Sequence, residues 1–156
     1  MVFRELSDLE SRALLARNHI GRIAFSFHDR VDIRPIHYVY RDNWLYGRTS
    51  PSDKLVTLRH NQWVAFEVDE VRGPFDWESV VVKGPFSPHD SKFATWDLEL
   101  AVSALRELLP STFTDDDPAP HRDIVFGVHA SEISGRRCTP AGATEPMALA
   151  GASSGG

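Results

Sequence analysis

Polar and apolar residues alternate strictly along Ile20–Phe27. Gly21, Ile23, Phe25 and Phe27 fall on one side, and Arg22, Ala24 and Ser26 on the other. A period of two predicts a strand with one buried face. Trp63–Val71 repeats the pattern, with Val64, Phe66 and Val68 against Ala65, Glu67 and Asp69. Asp123–Ala130 does so again through Ile124, Phe126 and Val128. In Trp77–Phe86 the run Val80-Val81-Val82 predicts burial on both faces at mid-strand, and Gly84-Pro85 is expected to end regular pairing.

Between the first two of these lies Val31–Lys54, which reads as two strands joined at Arg41-Asp42-Asn43. Pro35 interrupts the first strand. Proline has no ladder donor, so this strand is expected at a sheet edge. After Thr49 a short helix is predicted over Pro51–His60, with Ser50 as N-cap and Pro51 at its first position.

Two further stretches change period from two to 3.6. Glu5–Asn18 carries a Ser7/Glu10 capping box and an apolar side of Leu6, Leu9, Ala13 and Leu14. A longer helix is expected from Ser87-Pro88 to about Leu109, with a stripe of Phe93, Trp96, Leu100, Ala104 and Leu108. Pro110–Arg122 reads as a loop containing Asp115-Asp116-Asp117. Thr139–Gly156, rich in Ala, Gly and Ser, reads as a flexible tail following one domain over 1–138. The expected class is mainly β (α+β): about six antiparallel strands with flanking helices, a small barrel rather than a doubly wound sheet.

Charge and composition narrow the function. A net charge of −5 gives no general attraction to nucleic acid or an anionic membrane. The only cysteine is Cys138, which excludes an internal disulfide and fits a reducing compartment. No run reaches the roughly 18 apolar residues of a membrane span, and the start of the chain lacks a signal-peptide pattern. The expectation is a cytoplasmic protein.

The strongest chemical signal is Arg48, Thr49, Ser50 and Lys54, which gather two cations, two hydroxyls and helix-start amides within seven residues. Phosphate binding needs such donors. An ordinary N-capped helix start would have the same residues. Pro35 frees backbone groups that could bond the polar rim of a flat heteroaromatic ring, or it simply guards an edge. His37, on the same strand, is the best candidate for proton transfer, since histidine titrates near neutrality. The seven histidines show no metal-ligand spacing, and no metal is expected. Asp115–Asp117 reads as a solvated acidic run and Cys138, beside Arg136 and Arg137, as a structural thiol.

The segments GRIAF, DIRPIHYVY, NWLYGRTSPSDKLVTL, VAFEVDEV and WESVVVKGPF, in this order, resemble the pyridoxamine 5′-phosphate oxidase-like flavoprotein superfamily. The nearest branch is that of the nitroimidazole-resistance-type proteins. The likeness runs from about Leu6 to Phe86 and, more loosely, through Ile133–Arg137. It implies a split β-barrel that binds FMN at a homodimer interface. Arg34, Pro35, Ile36 and His37 would contact the isoalloxazine, and Arg48, Thr49, Ser50 and Lys54 the phosphate. Trp77, Ser79 and Val80 would approach from the other subunit. The implied activity is FMN-dependent oxidation or reduction of a small molecule; a non-catalytic flavin, deazaflavin or haem carrier or sensor is the alternative. Two departures stand out. Asp53 precedes Lys54 where related oxidases have adjacent basic residues, and the arginine-rich substrate motif of the B6 oxidases is not visible.

Overall fold

The computed structural model describes residues 1–53, 55, 62–92 and 94–142. Among these residues nine strands and two helices occur in the order β1 (Val2–Glu5), α1 (Asp8–Arg17), β2 (Ile20–Phe27), β3 (Arg30–His37), β4 (Val39–Arg41), β5 (Trp44–Thr49), β6 (Trp63–Gly73), β7 (Asp76–Pro88), α2 (Leu98–Leu108), β8 (Ile124–His129) and β9 (Glu132–Thr139). Every pairing is antiparallel, and the strands follow the order β3-β2-β6-β7-β8-β5-β4, with β9 joining β7 to β1. The fold is mainly β, a split barrel flanked by two helices, as the periodicity and the resemblance predict.

Strand β7 belongs to both halves. Trp77–Lys83 pairs with β6 on one side and β9 on the other, whereas Phe86–Pro88 pairs with β8. Gly84-Pro85 therefore does not end the strand; it is where β7 changes partner. A Cβ on Gly84 would lie 1.7 Å from the His129 carbonyl oxygen, so only glycine fits this crossing.

The predicted strand Val31–Tyr40 is broken at Tyr38, where the chain passes from one half to the other. The Tyr38 ring is buried against Phe66, its hydroxyl donates to the Leu15 carbonyl at 2.7 Å, and its N–H donates to His19 O. This break, together with the short β1 and β9, raises the strand count above the six expected. The turn predicted at Arg41-Asp42-Asn43 is tighter, and His28-Asp29 makes a second one: His28-Asp29 and Asp42-Asn43 each place two residues at positive φ, the geometry that matches strand twist in two-residue hairpins. Pro35 does lie on an edge strand, and among the described residues Arg22 is its cross-strand partner.

Helix α1 has the predicted capping box, and it buries Ser11, Leu14 and Leu15. Leu9, expected inward, is exposed, because the sheet meets the adjacent side of the helix through Leu6, Leu14 and Leu15. Helix α2 starts at Leu98 rather than near Ser87. Ser87 and Pro88 still pair with β8, and Asp97 is the N-cap, accepting from Glu99 N and Leu100 N. Its buried side is Ala101, Ala104 and Leu105, and Leu100 is exposed. Phe93 and most of the predicted helix Pro51–His60 lie outside the described residues; 51–53 form a turn closed by Asp53 N to Ser50 O. Thr139, placed in the tail by its composition, ends β9, and 143–156 lie outside the described residues.

The main core lies between the halves and contains Leu14, Tyr38, Phe66, Val80, Val82 and Phe126. Val81 is only half-buried, so the triple valine is enclosed on one face alone. A second cluster seats Ala101, Ala104 and Leu105 of α2 on Val39, Tyr46 and Val125. This fixes the end of α2 and the loop after it beside the free end of β5. Among the described residues no helix is long and apolar enough to cross a membrane.

Candidate functional site

A cavity of about 470 Å³ opens between the edge strand β3, the end of β5 and the loop that follows α2. That volume falls in the roughly 300–1,000 Å³ range of small-molecule sites. Its near wall is Arg34, Pro35, Ile36 and His37, and its floor includes Phe126. Arg48, Thr49 and Ser50 enter from β5. The far wall is apolar, made by Leu105, Leu108 and Leu109 at the end of α2. Thr112 and residues 118, 119, 121 and 122 of the loop complete it. Glycine makes the close approach possible: a Cβ on Gly47 would meet Phe126 at 2.6 Å and the His37 carbonyl at 3.1 Å.

Two carboxylates organise the polar end. Arg48 donates to Asp117 in bidentate fashion, Nη1 to Oδ2 at 2.6 Å and Nη2 to Oδ1 at 2.8 Å. The pair is enclosed, its side chains 12% and 1% exposed. Asp117 also accepts from Phe113 N at 2.8 Å and Ala119 N at 2.9 Å, and the Arg48 guanidinium lies over the Phe113 ring. The Arg48 guanidinium holds the Asp117 carboxyl far below the usual carboxylate range. So the third aspartate of the acidic run ties the loop to β5, a role its sequence context does not reveal. Among the described residues no cluster of three or more metal-ligating groups occurs.

Asp53 is the second organiser. Arg34 Nη1 donates to its Oδ1 at 2.5 Å, Thr49 Oγ1 to its Oδ2 at 2.8 Å and Leu55 N to Oδ1 at 2.9 Å. The residue that departs from the family's basic pattern thus links β3 to the end of β5. The Ser50 and Ser52 hydroxyls are 3.2 Å apart. His37 is exposed at the cavity, and its ring has no hydrogen bond to a described residue.

Seven of the residues singled out in the sequence, from two separate strands, therefore meet at one cavity. Lys54 lies outside the described residues. Trp77, Ser79 and Val80 are elsewhere, on β7 between β6 and β9. Trp77 packs edge-on against Phe3, and the Val80 side chain is enclosed in the core. The α2 end and the loop residues Thr112, His121 and Arg122 escape sequence reasoning. They carry no local motif, and only the docking of α2 brings them to β5.

Among solved structures, an FAD-binding protein from Mesorhizobium loti is 28% identical, covers 89% of this chain and 100% of its own, and superposes with a TM-score of 0.68. The FAD-binding protein of Mycobacterium smegmatis is 25% identical over 86% of this chain and 99% of its own, with a TM-score of 0.64. A putative 5-nitroimidazole antibiotic resistance protein from Bacteroides thetaiotaomicron shares the fold, at 16% identity and a TM-score of 0.60, over 87% of this chain and 89% of its own. The family model for pyridoxamine 5′-phosphate oxidase matches residues 7–137, and the chain belongs to that family.

Proposed function

We propose that the cavity binds a flavin nucleotide, FMN in the first instance, and that the protein is a cytoplasmic flavin-dependent oxidoreductase acting on a small molecule. The carrying observation is the meeting of Arg34–His37 with Arg48–Ser50 around one space that is apolar along α2 and polar at the end of β5. An isoalloxazine needs a flat wall with free backbone groups. The edge strand, interrupted by Pro35, offers one. A phosphate needs donors, and the polar end supplies them. The bound flavin would supply the redox chemistry; the protein's share is to bind, orient and shield it. His37 would hold or deliver a proton at the substrate side, and Lys54 would add charge near the phosphate.

We further propose that two copies assemble, Trp77 and Ser79 of one approaching the cavity of the other. Val80, enclosed in the core, would offer no side chain there. FAD is the second reading, because the relatives named as FAD-binding are 28% and 25% identical.

Absorbance and mass of the cofactor that copurifies test this. A yellow protein releasing FMN supports the first reading and one releasing FAD the second. Colourless protein that also fails to take up either overturns both. Turnover with a reduced nicotinamide donor separates an enzyme from a carrier. With an active preparation, His37→Gln should lower kcat about 100-fold while flavin affinity stays unchanged; an unaltered kcat removes His37 from proton transfer.

A further inference from the structure

Three guanidinium groups and an imidazole line the polar end of the cavity, from Arg34, Arg48, Arg122 and His121. Two of the guanidinium groups have carboxylate partners. Arg48 gives both terminal nitrogens to Asp117, and Arg34 is bound to Asp53. Arg122 and His121 make no side-chain hydrogen bond or ion pair with a described residue, and both are exposed.

Their position is set by the sheet. The β5–β8 ladder ends with Thr49 opposite Ile124. Arg122 lies two residues before Ile124, just beyond the end of that ladder, and it lines the same cavity as Ser50. The loop is anchored at this point. Arg122 N donates to Ala119 O at 3.0 Å, Ala119 N donates to Asp117, and Arg48 Nη1 reaches the Arg122 carbonyl at 3.5 Å. An unpaired cation held on an anchored loop at the rim of a cavity is what an anionic ligand group requires.

We propose that Arg122 and His121 are the side chains that bind the phosphate of this cavity's nucleotide, and that Arg48 is a positioning residue that holds their loop through Asp117. The proposal rests on the flavin reading above. It assigns the anion to the chain entering β8, a segment outside the sequence motif around Arg48. The ligand group is a phosphate monoester if the nucleotide is FMN and a diphosphate if it is FAD.

The experiment titrates the full chain, freed of copurified flavin, with FMN, FAD and riboflavin, following flavin fluorescence. Riboflavin has the ring without the phosphate. Arg122→Ala should weaken FMN or FAD at least about tenfold and leave riboflavin within about twofold. His121→Ala should shift the same ligand less, and Arg122→Lys should restore part of the loss. Arg48→Lys should also weaken the phosphorylated ligand, and in that background Arg122→Ala should add little, since the loop is already displaced. Additive losses would make Arg48 a direct ligand and overturn its positioning role. Wild-type affinity for FMN and FAD in the Arg122→Ala/His121→Ala double variant would overturn the assignment while leaving the flavin reading intact. So would equal losses for riboflavin and its phosphorylated forms. A wild type that binds none of the three overturns both together.

Discussion

At the scale of single residues, charge pairing decides what each arginine can do. Asp117 occupies both terminal nitrogens of Arg48, so Asp117→Asn would leave an enclosed guanidinium half-matched. The variant should melt several degrees lower and show faster amide exchange over residues 110–122, while α1 is unaffected; unchanged exchange there would remove Asp117 as the loop's tie. Glu10 gives a pH-dependent counterpart far from the cavity. Arg4 holds its carboxyl through a bidentate hydrogen bond, and together with the Ser7 N–H it brings the pKa down from 4.5 to about 2. The folded value is depressed, so the stabilisation is fully present above about pH 4.5 and is lost as pH falls towards 2. Because the pair is partly exposed, Glu10→Gln should cost only about 1 kcal/mol at pH 7. The gap from wild type should close between pH 4.5 and 2 in denaturant melts; a gap that persists at pH 2 would contradict the ion-pair account.

At the scale of elements, the strands that bury one clean face are written in the chain. Alternation in 20–27, 63–71 and 123–130 marks β2, β6 and β8, because a sheet face against a core enforces period two. The Ser7/Glu10 box marks the start of α1 for an equally local reason. Strands β1 and β9 give no such signal: Val2–Glu5 is four residues long, and Glu132–Thr139 mixes charges with Gly135. They form because β9 pairs with β7 on one side and with β1 on the other. Helix α2 begins ten residues after Pro88, where the Ser87-Pro88 pair suggests an opening, since pairing with β8 keeps Ser87 and Pro88 extended. The same division holds at the cavity. Arg34–His37 and Arg48–Ser50 are contiguous motifs, whereas the α2 end and Arg122 arrive through tertiary docking. Gly84 shows how narrow the element scale can be. Gly84→Ala would push a methyl group into the His129 backbone, which cannot swing away as a side chain can. The expected cost is about 3 kcal/mol or more, or failure to fold. Soluble protein with a wild-type melting curve would contradict that contact.

At the scale of the molecule, the outer face near the edge strand is apolar. Val31 and Ile33 are 79% and 62% exposed, with Trp63 exposed as well. Bare apolar side chains on a sheet edge favour a covering partner. If a second copy is that partner, Ile33→Glu should convert a dimer to monomer in sedimentation, and flavin affinity should fall with it. A wild type that sediments as a monomer at micromolar concentration would end the two-copy proposal.

Strand β7, shared by both halves, also bears on how the chain comes apart. Residues 77–83 and 86–88 lie on one continuous backbone, so one strand is shared by the ladders of both halves. Loss of structure should be a single cooperative event, and the slowest-exchanging amides should lie along β7 on both sides of Gly84.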